Sequence, residues 1–266
     1  MKSWSGEVVV VTGGSAGIGL SVCRKLAADG AKVVMVARTA DVVQREAAGI
    51  GAVPWPLDVG DLAALAALPA AVVERCGRLD AIVNNAGVHH RGRVDGRTTD
   101  QLAQMVHVNL TAPIVLSRAA LDHLPSGGAI VQVASLAGRL PLQDAATYSA
   151  TKAGLRFFTR ALADERKDLV IGTVSPGPVD TGFFGEDLSQ VSDMVFSQPM
   201  STPDEVADAV LAVMERGGEV SLPASSGALT TLGYLIPGLS RALRPTMLKR
   251  GAAAKAAYGE KLAKRQ

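Results

Sequence analysis

Residues 7–19 read EVVVVTGGSAGIG: an apolar run, a glycine-rich turn and the start of a helical segment. The four consecutive valines predict a strand that is buried on both faces, as in a parallel sheet. Gly13 permits the sharp turn, Gly17 lets the backbone approach a pyrophosphate, and Gly19 allows close helix packing, so that N–H groups at the helix start face the phosphates. Because the turn follows a strand and opens a helix, the stretch predicts a dinucleotide site.

The same alternation of short apolar runs and longer helical segments continues to about residue 222 and predicts an α/β fold. Seven strands with helical crossovers form a single doubly wound, Rossmann-type parallel sheet flanked by helices. We assign residues 1–229 to this domain and residues 230–266 to a C-terminal helical extension. The predicted strands are 7–11, 32–37, 52–57, 81–84, 129–133, 169–174 and a weaker 219–222. The predicted helices are 17–28, 61–76, 99–124, 147–168 and 203–216.

Composition excludes several classes of protein. Cys23 and Cys76 cannot build a disulfide framework and lack metal-ligand spacing, so we interpret both as reduced packing residues of a cytoplasmic protein. No run reaches the ~20 apolar residues of a transmembrane helix. The net charge of +2 hides an asymmetry, because residues 230–266 carry eight basic residues and one acid, which leaves −5 for residues 1–229. Nucleic-acid binding by the body of the protein is therefore not expected.

The end of the second predicted strand indicates which dinucleotide fits. An NAD site needs an acid there for the ribose 2′-OH, whereas an NADP site needs a cation for the 2′-phosphate. Residues 36–39 read VART, with no acid and one arginine, Arg38. Its guanidinium can bind phosphate through two parallel hydrogen bonds, and the Ser15 hydroxyl can add another. A solvated arginine is the alternative, but the missing acid favours NADP(H).

Tyr148 and Lys152 lie four residues apart, on one face of a predicted helix. A tyrosine with a pKa near 10 is a poor base at neutral pH, and a nearby cation favours the phenolate and lowers that pKa. Ser135 follows the predicted strand 129–133, at the sheet edge where such folds bind ligands, so its hydroxyl can reach the same substrate oxygen. The tyrosine–lysine spacing alone is weak evidence, because it occurs by chance in many helices.

With these residues the sequence resembles the short-chain dehydrogenase/reductase family, in an NADP-preferring form with a basic C-terminal extension. The resemblance runs from about Gly6 to Leu222. Seven pieces carry it, in the family's order and at its intervals: TGxxxGxG at 12–19, Asp58, NNAG at 84–87, Asn109, Ser135, YxxxK at 148–152 and PG at 176–177. Any one of them can arise by chance, but all seven together indicate the family.

The resemblance implies a role for each of these residues. Tyr148 would give a proton to a carbonyl oxygen or take one from an alcohol, Lys152 would hold the nicotinamide ribose and lower the tyrosine pKa, and Ser135 would orient the substrate oxygen. Asn109 would hold a water that links Lys152 to solvent, and Asp58 would bond the adenine amino group. The other implied cofactor contacts are Ile18, Val59, Asn85, Ala86, Gly87, Pro176, Gly177, Val179 and Thr181, the last two meeting the carboxamide.

Some polar residues also have plainer interpretations. Asn109 can be an ordinary polar core residue, and Asp58 can be a turn or cap residue. His89 and His90 follow the NNAG loop, where they either line the rim of the active site or are solvated; the second interpretation is favoured. No histidine has metal-ligand spacing, so no metal site is predicted.

The loop 182–200 is the first candidate for substrate contact. Its apolar residues predict either a mobile lid or a packed loop that does not meet the substrate: Phe183, Phe184, Val191, Met194, Val195 and Phe196. An apolar lid suits a lipophilic alcohol or ketone better than a sugar.

The basic extension contains apolar residues at helical spacing from Leu232 to Leu243. Pro237 and Pro245 divide it, so we expect short helices rather than one long one, and a more polar helix over 252–264. Three explanations stay open for it. It packs on its own or a partner subunit of a homodimer or homotetramer, it contacts an anionic membrane surface as a peripheral protein, or it is largely flexible.

Two functional classes fit the whole pattern. The first is an NADP(H)-dependent oxidoreductase for an alcohol/ketone pair, with a free lipophile as substrate or, as the runner-up, a 3-oxoacyl thioester. The second is a sensor or scaffold that binds NADP(H) without turnover. The complete set of Ser135, Tyr148 and Lys152 favours the enzyme, because a pure binder has no need for the phenol.

Overall fold

The computed structural model describes residues 3–184 and 188–263. Its strands are β1 (Val8–Thr12), β2 (Lys32–Ala37), β3 (Val53–Pro56), β4 (Ala81–Asn84), β5 (Ala129–Val133), β6 (Val170–Pro176) and β7 (Gly218–Leu222). They form one parallel sheet in the order β3-β2-β1-β4-β5-β6-β7. The strand order reverses between β1 and β4, and such a switch point opens a ligand crevice at the carboxyl ends of the strands. The Rossmann-type prediction is confirmed.

Helices cover both faces of this sheet. They are α1 (Gly17–Ala28), α2 (Ala40–Ala48), α3 (Leu62–Cys76), α4 (Thr99–Val106), α5 (Ala112–Ala120), α6 (Ala146–Glu165), α7 (Asp193–Phe196), α8 (Pro203–Arg216), α9 (Ala224–Leu235) and α10 (Pro237–Ala263). Val9 and Val11 of β1 lie in one core with α1, α2 and α8, whereas Val8 and Val10 lie in the other with α3, α5 and α6. The uninterrupted valine run is therefore explained by a strand with a core on each side.

Two helical predictions are corrected. α2 was not predicted, because it is short and largely polar, and only Val43 and Ala47 of it are buried. The single helix predicted over 99–124 is interrupted by a π-helical turn at His107–Thr111. Pro113 lacks the N–H that would bond the carbonyl of Asn109, which removes one α-helical bond at this turn.

The edge strands are less buried than β1. β3 and β7 are only partly buried, because each has a neighbouring strand on one side and incomplete helix cover. The remaining strand and helix ends agree with the predicted ones to within a few residues.

The C-terminal extension forms fewer and longer helices than expected. Pro237 does separate α9 from α10, but Pro245 lies inside α10, and the polar segment from residue 252 belongs to the same helix. α10 packs on α7, so the extension rests on its own chain; residues 264–266 lie outside the described residues. The proposed division at residue 229 falls within α9 and stays a prediction. No helix in the described residues is long and apolar enough to cross a membrane.

Candidate active site

A cavity of about 870 Å³ lies at the carboxyl ends of the strands, between the loops after β1, β4, β5 and β6 and the segment from α7 to α10. Most of the residues expected at the site line it: Gly13, Gly17, Ile18, Asn85, Ala86, Gly87, Ser135, Tyr148, Lys152, Pro176, Gly177, Val179 and Thr181. The others lie behind its wall or beyond it: Ser15, Gly19, Arg38, Asp58, Val59 and Asn109. The sheet topology thus brings residues from distant parts of the chain to one opening.

The glycine turn has the geometry of a phosphate cradle. Gly13 has a φ of 63°, and a Cβ there would lie 2.9 Å from Asn85 Nδ2, while a Cβ on Gly19 would overlap the Gly13 carbonyl. α1 begins after Ala16, which cannot cap it, and its first turn carries no acidic residue. The N–H groups of that first turn are therefore left to bind an anion that enters the cavity.

The residues expected around the adenosine half lie at the ends of β2 and β3. Arg38 follows the last residue of β2 and is exposed, and none of the described carboxylates forms an ion pair with it. Asp58 is exposed and accepts a hydrogen bond from the Gly60 N–H at 2.8 Å, so it does act as a turn residue. Val59 is buried in the core beside β1. The adenine and 2′-phosphate contacts stay predictions.

Tyr148, Lys152 and Ser135 converge on the cavity. α6 carries the first two, and Ser135 follows β5. Lys152 Nζ donates to the Val133 carbonyl at 2.8 Å and lies 5.9 Å from the centre of the Tyr148 ring. The Ser135 hydroxyl is hydrogen-bonded to the phenol and also accepts the Ala137 N–H at 3.1 Å. A phenol, a hydroxyl and an ammonium thus share one buried region of the wall.

Asn109 supports this region from behind. It sits in the π-helical turn and is 1% exposed. Its Oδ1 accepts the Val88 N–H and its Nδ2 donates to the Val88 carbonyl, both at 2.8 Å. A Cβ on Gly87 would lie 3.2 Å from Asn109 Oδ1 and 3.6 Å from Lys152 Nζ, so the glycine lets the loop pass close to both. The bonds to Val88 account for the polar side chain, and the water relay stays a prediction.

Burial and charge oppose each other at the phenol. Burial raises the pKa of Tyr148, whereas the hydrogen bond with Ser135 and the positive charge of Arg91 lower it. Burial lowers the pKa of Lys152 to about 8. Arg91 is thus a cation that lowers the tyrosine pKa and that the sequence did not suggest. The same role for Lys152 stays a prediction.

In the loop after β4, sequence reasoning missed Arg91 and did not favour the rim position for His89. His89 stacks on Tyr148, with ring centres 4.1 Å apart and planes inclined by 14°, so the solvated interpretation is wrong for this histidine. Burial and the charges around it lower the His89 pKa to about 3, which keeps its ring neutral. His90 is partly exposed and pairs with Gln104 at 2.6 Å, as a solvated residue would. Arg91 lines the cavity and lies over the Phe184 ring at 5.4 Å.

The C-terminal extension forms part of the cavity wall. Arg241, Arg244 and Met247 of α10 line the wall together with Met194 and Val195 of the expected lid. The lid is therefore a packed loop, as one interpretation of the sequence had it, but it borders the cavity, as the other interpretation required. The side chain of Phe183 and residues 185–187 lie outside the described residues.

Tyr258 of α10 fixes the extension to the lid. Its ring packs against Phe184 and Phe196, with ring centres 6.0 and 5.7 Å away, and its hydroxyl donates to Asp180 at 2.8 Å. Lys255 donates to the Val191 carbonyl at 2.6 Å. These contacts hold α10 against the lid, beside the cavity.

Comparison with known proteins gives a consistent result. The family model of the short chain dehydrogenases matches residues 7–192. L-fucose dehydrogenase of Mus musculus is 32% identical over 249 residues, which is 87% of this chain and 90% of that relative. The ketoacyl reductase HetN of Nostoc sp. (strain PCC 7120) is 32% identical, over 81% of this chain and 77% of its own. A solved short chain dehydrogenase of Burkholderia cenocepacia J2315, in complex with NADP, superposes with a TM-score of 0.76 at 33% identity, over 83% of this chain and 97% of that one.

Proposed function

The chain belongs to the short-chain dehydrogenase/reductase family, and from that membership we propose that it is an NADP(H)-dependent oxidoreductase that interconverts a lipophilic secondary alcohol and its ketone. Tyr148 is the general acid and base of the proposed reaction. The observation that carries the proposal is that Tyr148, Ser135 and Lys152 line one cavity. The same cavity is lined by the glycine turn and the start of α1, whose N-terminus has no side-chain cap. That arrangement offers proton transfer next to a dinucleotide cradle.

The residues present fit the cofactor. The turn from Gly13 to Gly19 leaves N–H groups for the pyrophosphate, and Arg38 is a cation free for a 2′-phosphate. Asn85, Ala86 and Gly87 line the wall that continues toward Tyr148. When bound, the nicotinamide supplies or accepts the hydride. The NADP complex of the Burkholderia relative supports this choice of cofactor.

The chain's own residues handle the proton. In reduction the Tyr148 hydroxyl protonates the carbonyl oxygen, and in oxidation the phenolate removes the hydroxyl proton of the alcohol. Ser135 is hydrogen-bonded to the phenol and holds the substrate oxygen beside it. In the proposed reaction Lys152 holds a ribose hydroxyl, and its ammonium gives a proton to a water held by Asn109 behind Gly87. Arg91 stabilises the phenolate.

The substrate end of the cavity supports a lipophilic substrate. Apolar side chains form most of it: Leu136, Leu140, Leu142, Val191, Met194 and Val195. A sugar would leave its hydroxyl groups facing these residues without hydrogen-bond partners. A 3-oxoacyl thioester is the second candidate, because its acyl chain fits the same apolar wall and because HetN is named a ketoacyl reductase.

The test follows NADPH oxidation against a panel of ketones and 3-oxoacyl thioesters, for wild type and Tyr148→Phe, with NADH in parallel. We expect turnover that Tyr148→Phe lowers at least about 100-fold without weakening NADPH binding, because general acid–base catalysis contributes ~10²–10⁴. The matched control is Tyr234→Phe, an exposed tyrosine outside the cavity, which we expect to behave as wild type. Tight NADPH binding with no turnover on any substrate would instead favour the sensor.

The proposed assembly is a homodimer or homotetramer, and the proposed location is the cytoplasm. Sedimentation equilibrium of the purified protein decides the first. The packing of α10 on its own lid supports the first of the three explanations for residues 230–266, rather than membrane contact.

A further inference from the structure

We infer that the substrate is amphipathic, with an apolar body and an anionic group, and that Arg241 and Arg244 of α10 bind that anionic group. The inference rests on the proposed function and adds a substrate class to it. It starts from the observation that the C-terminal extension contributes two guanidinium groups to the wall of the cavity that holds Tyr148.

The two arginines belong to the substrate end of the cavity. At the far end of α10, Tyr258 and Lys261 contact Asp180, which belongs to the Val179–Thr181 segment expected around the nicotinamide. Arg244 precedes Tyr258 by fourteen residues, which corresponds to about 20 Å along a helix at a rise of 1.5 Å per residue. The pyrophosphate is expected at the glycine turn and the 2′-phosphate at Arg38. The phosphates of the cofactor therefore do not explain why Arg241 and Arg244 line the cavity.

Charge on the wall is unbalanced toward the positive. Within the described lining, the charged side chains are Arg91, Lys152, Arg241 and Arg244, with Asp144 as the acid. Arg91 and Lys152 lie at the reactive end with Tyr148. Neither Arg241 nor Arg244 forms an ion pair with a carboxylate in the part of the chain that the structure describes.

Apolar residues line the cavity together with these charged side chains. Met247 comes one turn after Arg244 on α10 and lines the wall with Met194 and Val195. A substrate whose carbonyl meets Tyr148 therefore crosses an apolar stretch before its far end reaches the arginines. A planar guanidinium binds a carboxylate or a phosphate through parallel hydrogen bonds, so either anion satisfies this geometry. The carboxylate of a free oxo acid and the phosphate of a coenzyme A thioester are the two sources.

The experiment compares matched substrates. Straight-chain oxo acids of rising length are each assayed beside their methyl esters, and a coenzyme A thioester is assayed beside its phosphate-free N-acetylcysteamine analogue. We expect the wild type to prefer the anionic member of one pair by about 10-fold in kcat/KM, since two charge-assisted bonds at a partly solvated site contribute roughly this much. The pair that shows the preference identifies the source of the anion.

The variants assign the preference to residues. In Arg241→Gln/Arg244→Gln we expect the anionic-to-neutral ratio to fall to about 1. Lys249→Gln/Arg250→Gln is the control, because it removes the same charge from exposed positions of α10 outside the cavity, and it should keep the ratio. A ratio near 1 in wild type, or an equal loss in both double variants, overturns the inference while turnover of the neutral ketone leaves the proposed function standing.

A binding measurement tests the anion site even if no substrate is turned over. Calorimetry with Tyr148→Phe and NADP⁺ measures whether the acid binds more tightly than its ester. A preference lost only in Arg241→Gln/Arg244→Gln supports the anion site, and equal binding of acid and ester refutes it. Failure of the proposed function is recognised separately, as the absence of turnover on every substrate.

Discussion

Replacing Arg91 by methionine should change the pH at which the enzyme begins to oxidise an alcohol. Arg91 lines the cavity, and its positive charge lowers the pKa of Tyr148. Methionine keeps an unbranched side chain that can still pack on Phe184, over which the guanidinium lies at 5.4 Å. The substitution therefore removes the charge and largely keeps the packing.

The size of the effect follows from charge and burial. An opposite charge within about 4–6 Å typically moves a pKa by 1–3 units, and we take about 1 unit because Arg91 is only partly buried. The sign is upward, since a cation stabilises the phenolate and its removal makes ionisation harder. One unit corresponds to about 1.4 kcal/mol, or a tenfold change in the phenolate fraction.

The assay is kcat/KM for alcohol oxidation with NADP⁺ as a function of pH. Oxidation needs the phenolate, so the acidic limb of the profile should move up by about 1 pH unit in Arg91→Met, with about tenfold lower activity below the limb and little change above it. Arg93→Met is the control, because Arg93 belongs to the same loop but pairs with Asp95 in solvent. An unmoved limb in Arg91→Met, or equal shifts in both variants, would refute the reasoning.

Two further predictions concern residues just outside the cavity. Arg38→Asp should lower the ratio of kcat/KM for NADPH to that for NADH about 100-fold, because two charge-assisted bonds contribute about 3 kcal/mol. The control is Lys32→Asp, at the other end of β2, which should not change the ratio. An unchanged ratio in Arg38→Asp contradicts the assignment of Arg38 to the 2′-phosphate. Tyr258→Ala should lower the free energy of unfolding by about 3 kcal/mol in urea titrations, since it removes a buried ring from the lid, whereas Tyr258→Phe should cost about 1 kcal/mol. Equal stability of the two variants would contradict the packing role.

The fold was predictable from sequence because local pattern and global topology agree at the centre of the sheet. The valines of β1 are buried on both faces, and the glycine turn after them permits a single strand-to-helix geometry. The agreement between local pattern and topology is weaker at the edges of the sheet. β3 and β7 are only partly buried, and α2 buries just Val43 and Ala47, so its apolar periodicity is too sparse to predict a helix.

The residues of the candidate site also fall into a part that the sequence predicts and a part that it does not. Tyr148 and Lys152 share a helix face, so their spacing in sequence fixes their proximity. His89 and Arg91 lie in a loop that has no periodicity, and their contacts with Tyr148 depend on how the β4 loop crosses α6. The signal available in the sequence was only their position shortly after the NNAG segment.

The C-terminal extension shows why substrate recognition is the hardest part to predict. Pro245 inside a helix costs about 3 kcal/mol, and local rules therefore end a helix there. α10 continues because contacts with a segment some sixty residues earlier hold it: Tyr258 packs in the lid, and Gly251 lies so close to the Asp193 carbonyl that a Cβ would overlap it. Local propensity carries no information about those contacts. The segment they hold in place is also the one that brings Arg241 and Arg244 to the cavity, so the residues that would select the substrate are placed by the lid rather than by their own helix.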